Sequence, residues 1–330
     1  MAKSKAKNLP IDVDKLLSGD RRSLSKAITL VESKKLEHRK LAQELIEEIL
    51  PHTGNAKRIG ITGTPGVGKS TFIESFGLYL IREHKHKVAV LTIDPSSPVS
   101  GGSILGDKTR MEELSQNMSS FIRPSPSSGA LGGVALKTRE SMLLCEAAGY
   151  DTIIVETVGV GQSEYEVADM VDFFLLLVLP GGGDDIQGIK KGILELSDLI
   201  LINKADGASK TIADQTLAHY HSALELFNHK KDEWVPRVLA CSALENTGID
   251  GAWKVINDFY EQSSQSGKIN DKRATQNQKW MNKVLWQMIE QKLKENPEVL
   301  NSWESYKKAV GKGSKSPYLA ALEIVNRIFK

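Results

Sequence analysis

Three patterns of apolar spacing follow one another along the chain. From 13 to 50, Leu16, Leu17, Ile28, Leu30, Val31, Leu36, Leu41, Leu45, Ile46 and Leu50 recur at helical spacing, and Pro51 and Gly54 close the segment. From Lys57 to about Ser242 the period changes. Short β-rich runs at 58–62, 88–94, 120–123, 152–157, 173–179, 199–203 and 235–241 alternate with longer helical stretches. Most are nearly continuous apolar runs, the pattern of strands covered on both faces. Their alternation with helices predicts an α/β fold with a doubly wound, mainly parallel sheet. From 251 to 330 the pattern is helical again. The polar segment 263–272 reads as a linker, and Met281, Val284, Leu285, Met288, Ile289 and Leu293 form a stripe on the helix that follows. This predicts a helical extension over 1–55, an α/β domain over 56–262 and a helical arm over 263–330. The stripe fits either an intramolecular core or a dimer contact, and the Trp280/Trp286 pair favours the dimer.

Composition removes several function classes. The 330 residues carry 43 Lys+Arg against 41 Asp+Glu, a formal net charge of +2, so the strongly basic balance of a bulk nucleic-acid binder is missing. Cys145 and Cys241 are far apart and in no metal-ligand spacing. That excludes a secreted disulfide scaffold and points to a reducing cytoplasm. The longest purely apolar run, Phe173 to Leu179, is far shorter than the ~20 residues of a membrane span, so no membrane association is expected. The basic start MAKSKAKN leads into no apolar segment, which argues against a secretory signal. The 27 glycines are unevenly placed. They cluster at 63–68, 101–106, 159–161 and 181–188.

The first cluster carries the strongest chemistry. Gly63-Thr64-Pro65-Gly66-Val67-Gly68-Lys69-Ser70, followed by Thr71, fits G-x-x-x-x-G-K-[ST] between a predicted strand and a predicted helix. Glycines let backbone N–H groups turn inward around a phosphate, and the helix N-terminus adds partial positive charge. Lys69 is placed to reach the β- and γ-phosphates and Ser70 to ligate Mg²⁺.

The base is read further on. The predicted strand 199–203 ends in Asn203-Lys204-Ala205-Asp206. A carboxylate at Asp206 can accept from guanine N1–H and N2–H₂, a donor pair that adenine does not offer. Lys204 can cover the base plane with its aliphatic stem. Another strand leads to Ser242-Ala243-Leu244, which resembles the loop whose backbone completes a guanine site. Together these favour GTP over ATP. Two acids close other strands: Glu156 heads Glu156-Thr157-Val158-Gly159, and Asp94 precedes Pro95. Beside a phosphate loop both suit Mg²⁺, directly or through water, with Gly159 near the γ-phosphate.

The segments GTPGVGKST (63–71), LTIDPSSPVSGGSILGDKTRM (91–111), ETVGVGQSE (156–164), PGGGDDIQGIKKGI (180–193) and NKADG (203–207) closely resemble the MeaB/ArgK-type G proteins. The resemblance runs over roughly 15–325. It implies a homodimeric P-loop GTPase of the SIMIBI class that binds GTP/GDP and Mg²⁺. It further implies a chaperone of the B12-dependent methylmalonyl-CoA mutase, or a related acyl-CoA mutase, gating adenosylcobalamin loading and protecting or rescuing the mutase. Matched residue by residue, Asp94 and Glu156 fall on the family's Mg²⁺-associated acids. Asp107 and Arg110 lie in the first switch, and Asp184, Gln187 and Lys190 lie in the loop tied to mutase signalling. Asn203, Lys204 and Asp206 match the guanine site. Lys69, Asp107 and Gln162 are the expected catalytic groups, Gln162 because a glutamine orients water in some GTPases. The competing reading is a P-loop kinase, after the arginine/ornithine transport label given to close relatives. Such a kinase needs an arginine-bearing lid that the sequence does not display, and N-K-A-D favours guanine.

Overall fold

The structure, a computed structural model, describes residues 9–33, 35–93, 111–125, 131–157, 163–181, 191–225 and 234–328. Helices α1 (Val13–Leu17), α2 (Arg21–Glu32) and α3 (Leu36–Ile49) precede the sheet. There follow β1 (Lys57–Gly63), α4 (Lys69–His84), β2 (Val88–Ile93), α5 (Glu112–Gln116), β3 (Ser120–Ser125) and α6 (Leu131–Ala147). Next come β4 (Thr152–Thr157), α7 (Ser163–Ala168), β5 (Phe173–Val178), α8 (Lys191–Leu196), β6 (Leu199–Ile202), α9 (Lys210–Glu225) and β7 (Arg237–Ala240). The chain ends in α10 (Ile249–Gln265), α11 (Lys268–Glu295), α12 (Pro297–Gly311) and α13 (Pro317–Ile328).

The seven strands form one sheet in the order β3-β2-β4-β1-β5-β6-β7, with every pairing among them parallel. The apolar runs split residue by residue between two cores, because successive side chains on a strand point to opposite faces. Ala89, Leu91, Ile153, Val155, Phe174 and Leu176 face a core shared with α1, α2, α3 and α6. Val88, Val90, Ile154, Phe173, Leu175 and Leu177 face a second core shared with α4 and α10. A doubly wound sheet binds ligands outside the carboxyl ends of its strands. β1, flanked by β4 and β5, places the phosphate loop at the middle of that edge.

The contacts divide the chain into two compact units, one ending at Lys272 and the other spanning Arg273–Lys330. Leu16, Leu24, Ala27 and Ile28 are fully buried in the first unit's core, so the N-terminal helices are part of its packing. Within the segment expected as a linker, α10 runs to Gln265 and α11 starts at Lys268, leaving only Ser266 and Gly267 between helices. The reason is tertiary: Ser263 is buried, Ile269 joins the core, and Lys272 Nζ donates to Asp172 O at 2.6 Å. In the second unit, Tyr306 and Lys315 each donate to Glu323 at 2.6 Å, tying α12 to α13. Among the described residues no helix is long and apolar enough to cross a membrane.

One acid at the amino end of β6 carries a pH signature. Asp198 accepts a hydrogen bond from Phe174 N at 2.8 Å. Burial pushes its carboxyl up to about 6, against the pull of Lys272, with Asp172 adding to the rise. A folded pKa above the ordinary value means that the folded chain holds a proton which the unfolded chain releases. The cost is therefore absent below about pH 4 and fully present above about pH 6. Asp198→Asn is expected to raise Tm at about pH 8 and to leave it unchanged at about pH 4, as read by scanning calorimetry.

Candidate nucleotide site

The phosphate loop leaves the end of β1 and turns into α4. Two of its glycines are required by contact as well as by conformation. A Cβ on Gly63 would lie 2.5 Å from Leu177 O, and one on Gly68, at φ +92°, would lie 2.8 Å from Asn203 Nδ2. Both clashes would push the loop away from its neighbours. Val67 is fully buried and pins the loop, and its N–H donates to Thr64 O at 3.3 Å. Pro65 and Gly66 face solvent, and Thr71 is exposed on the first turn of α4.

Lys69 folds over its own loop, donating to Gly63 O at 2.7 Å and Thr64 O at 3.3 Å. Burial holds its ammonium below the usual lysine range, while the carboxylates of Glu156 and Glu164 favour the charged form. Ser70 Oγ donates to Glu156 Oε1 at 3.3 Å. Glu156 is 3% exposed at the carboxyl end of β4, in register with Ile61 on β1 and Thr92 on β2. A hydroxyl and a carboxylate so placed beside a phosphate loop are hard oxygen donors of the kind Mg²⁺ takes.

The segment Asn203 to Asp206 is bound to this loop. Asn203 Nδ2 donates to Val67 O at 2.9 Å, and Asn203 Oδ1 accepts from Ala243 N at 3.1 Å. Lys204, in the left-handed region at φ +60°, donates to Gly66 O at 2.8 Å. Ser242 Oγ donates to Asp206 Oδ2 and itself accepts from Glu245 N at 3.1 Å. Ser75 Oγ on α4 donates to Ala243 O at 2.7 Å, and Leu244 stands 79% exposed beside them. Asn203 thus ties Val67 of the phosphate loop to Ala243 after β7, and Ser242 holds the Asp206 carboxylate.

The structure brings together Gly63 through Thr71, Glu156, Asn203, Lys204, Asp206 and Ser242 through Leu244. Asp94, Asp107, Arg110, Gly159, Gln162, Asp184, Gln187 and Lys190 lie outside the described residues. Sequence reasoning missed a group at the strand ends. Thr157 Oγ1 donates to Thr62 Oγ1 at 2.8 Å, and Thr62 Oγ1 donates to Glu164 Oε1 at 3.3 Å, all of them buried. The signal available was a threonine beside the phosphate loop at the end of β1 and another beside Glu156 at the end of β4.

A family model described as methylmalonyl-CoA mutase-associated GTPase MeaB matches residues 24–298. The chain belongs to the MeaB family. It is 56% identical to the GTPase ArgK of Escherichia coli (strain K12) over 271 residues, 82% of each chain. It is 44% identical to the mitochondrial methylmalonic aciduria type A homolog of Mus musculus, covering 96% of this chain and 78% of that one. A solved structure titled LAO/AO transport system kinase is 42% identical with a TM-score of 0.77, covering 96% of both chains. Kinship with named GTPases and the P-loop fold make this MeaB-family chain a GTP hydrolase.

Proposed function

We propose that this chain is a GTP-driven chaperone of an adenosylcobalamin-dependent acyl-CoA mutase of the methylmalonyl-CoA type, gating cofactor loading and protecting or rescuing the mutase from inactivation. The observation that carries the reading is the match, over 24–298, to a family described as mutase-associated. The structure supports the nucleotide half of the cycle. Ser70 and Glu156 would hold Mg²⁺, which would supply positive charge against the phosphates, and Lys69 would leave the loop carbonyls for the phosphates. Asp206, aimed by Ser242, would select guanine. The kinase alternative is carried by one structure's title alone.

The expected test is capture from native lysate by the chain loaded with a GTP analogue. Retention of a B12-dependent mutase supports the reading, and retention of a transporter or of nothing overturns it. Within the same reading, Lys190→Ala is expected to bind GTP with nearly unchanged affinity while losing stimulation of hydrolysis by the mutase. Equal stimulation of mutant and wild type would sink that assignment.

The proposed assembly is a homodimer through the helical arm. On α11, Met281, Leu285 and Met288 are exposed on one stripe, and Trp286, on another face of the helix, is 68% exposed. Exposed apolar side chains concentrated on one helix favour a partner surface. Leu285→Glu with Met288→Glu is expected to turn a dimer into a monomer in sedimentation equilibrium while the helical far-UV signal stays that of the wild type. We place the chain in the cytoplasm, where the buried thiols of Cys145 and Cys241 stay reduced.

A further inference from the structure

The short helix α7 begins directly after residues 158–162 and lies on β1 in a particular register. Its Val167 packs where Gly60 has no side chain: a Cβ on Gly60 would lie 2.9 Å from Val167 Cγ1. One turn earlier on α7, Glu164 meets Thr62, two residues further along β1. Residues i and i+3 share a helix face, and residues two apart share a strand face. One apolar and one polar contact thus seat α7 on the same side of β1. The polar contact is the costly one. Glu164 is 2% exposed, and a carboxylate at that depth is retained only with hydrogen-bond partners. Thr62 supplies one, and Thr157 donates in turn to Thr62 at 2.8 Å.

The relay has two significant ends. Thr62 immediately precedes Gly63, the first residue of the phosphate loop. Thr157 immediately follows Glu156, which accepts from Ser70 at 3.3 Å. We propose that Glu164 is a positioning residue for GTP hydrolysis, clamping the start of α7 to the ends of β1 and β4 through Thr62 and Thr157, so that Glu156 at the end of β4 is held in register with the phosphate loop that leaves β1. The clamp acts on alignment. Its hydrogen bonds involve neither Asn203 to Asp206 nor the carbonyls that hold Lys69, so the clamp affects turnover more than nucleotide affinity; the Glu164 charge, which also favours the charged form of Lys69, is separated from the clamp by Thr62→Val, which keeps the charge, and by Glu164→Gln, which removes it. The proposal rests on the GTPase activity and is independent of the mutase reading.

The test is single-turnover GTP hydrolysis together with GTP affinity and Tm for Glu164→Ala, Thr62→Val, their double variant and Glu164→Gln. Loss of the clamp is expected to lower kcat about tenfold, the worth of one buried hydrogen bond in the barrier, with GTP Kd within about twofold of wild type. The double variant is expected to be no slower than the slower single, as for two partners of one interaction. Glu164→Gln keeps an acceptor oxygen for Thr62 and is expected to recover most of the loss. The proposal is overturned if kcat stays within about twofold of wild type. It is equally overturned if Kd weakens in step with kcat, if the two single effects multiply, or if Glu164→Gln is as slow as Glu164→Ala. Should Glu164→Ala fail to fold, Thr62→Val against Glu164→Gln decides by the same criteria. A wild-type chain that does not turn over GTP would count against the GTPase activity and not against the clamp.

Discussion

Lys69→Ala is expected to slow GTP hydrolysis by about 10²–10³-fold, the loss seen when one electrostatic stabiliser of a transition state is removed. The ammonium rests 2.7 Å from Gly63 O and 3.3 Å from Thr64 O, so it already lies inside the loop that wraps the phosphates. It needs only to exchange carbonyl oxygens for phosphate oxygens. Charge builds on the transferring phosphoryl group and its leaving oxygen during hydrolysis, which makes a fixed cation there most valuable at the transition state. Lys69→Arg is not expected to restore the rate, because a planar guanidinium cannot replace a compact point charge beneath so tight a loop. Single-turnover hydrolysis at saturating nucleotide checks both variants. A kcat within about tenfold of wild type for Lys69→Ala would show that the lysine serves binding alone.

Asp206→Asn is expected to weaken GTP binding by about 10²-fold and to move preference toward a xanthine nucleotide. Two hydrogen bonds to an ionised acceptor are at stake, each worth roughly 1.5–3 kcal/mol. The amide of asparagine turns a donor toward the guanine amino group. Xanthine carries a carbonyl at that position and accepts from the same amide. Ser242 keeps the variant in place, since its hydroxyl donates to Asp206 and is itself fixed by Glu245 N at 3.1 Å. Competition between GTP and XTP for a fluorescent nucleotide reads the switch. An unchanged preference would mean that the base is chosen elsewhere in the pocket.

Much of this site is legible in the order of residues alone, and the legible parts are local. A phosphate loop is one stretch of backbone folding onto itself, so its glycines, lysine and serine must be contiguous. The same holds for Asn203 to Asp206, which closes one strand. The strands are legible because each must be apolar on both faces to lie between two layers of helices. Where the sequence misleads, distant chain is responsible. The segment 263–272 is polar enough to pass for a linker, yet Ile269 and Lys272 are held by the first unit's core and by Asp172. Glu164 reads as one more acid after a glycine-rich stretch until α7 is laid over β1.

By itself, then, the sequence determined the parallel sheet and the GTPase class and singled out the phosphate-loop and N-K-A-D residues as candidates, since each is written in contiguous or periodic positions. Only the tertiary structure decided how those parts are held to one another. Asn203 bonds Val67 across 136 positions, Ser70 meets Glu156 across 86, and Glu164 meets Thr62 across 102. Such contacts are set by strand order and register. No spacing along the chain encodes which strand will lie beside which.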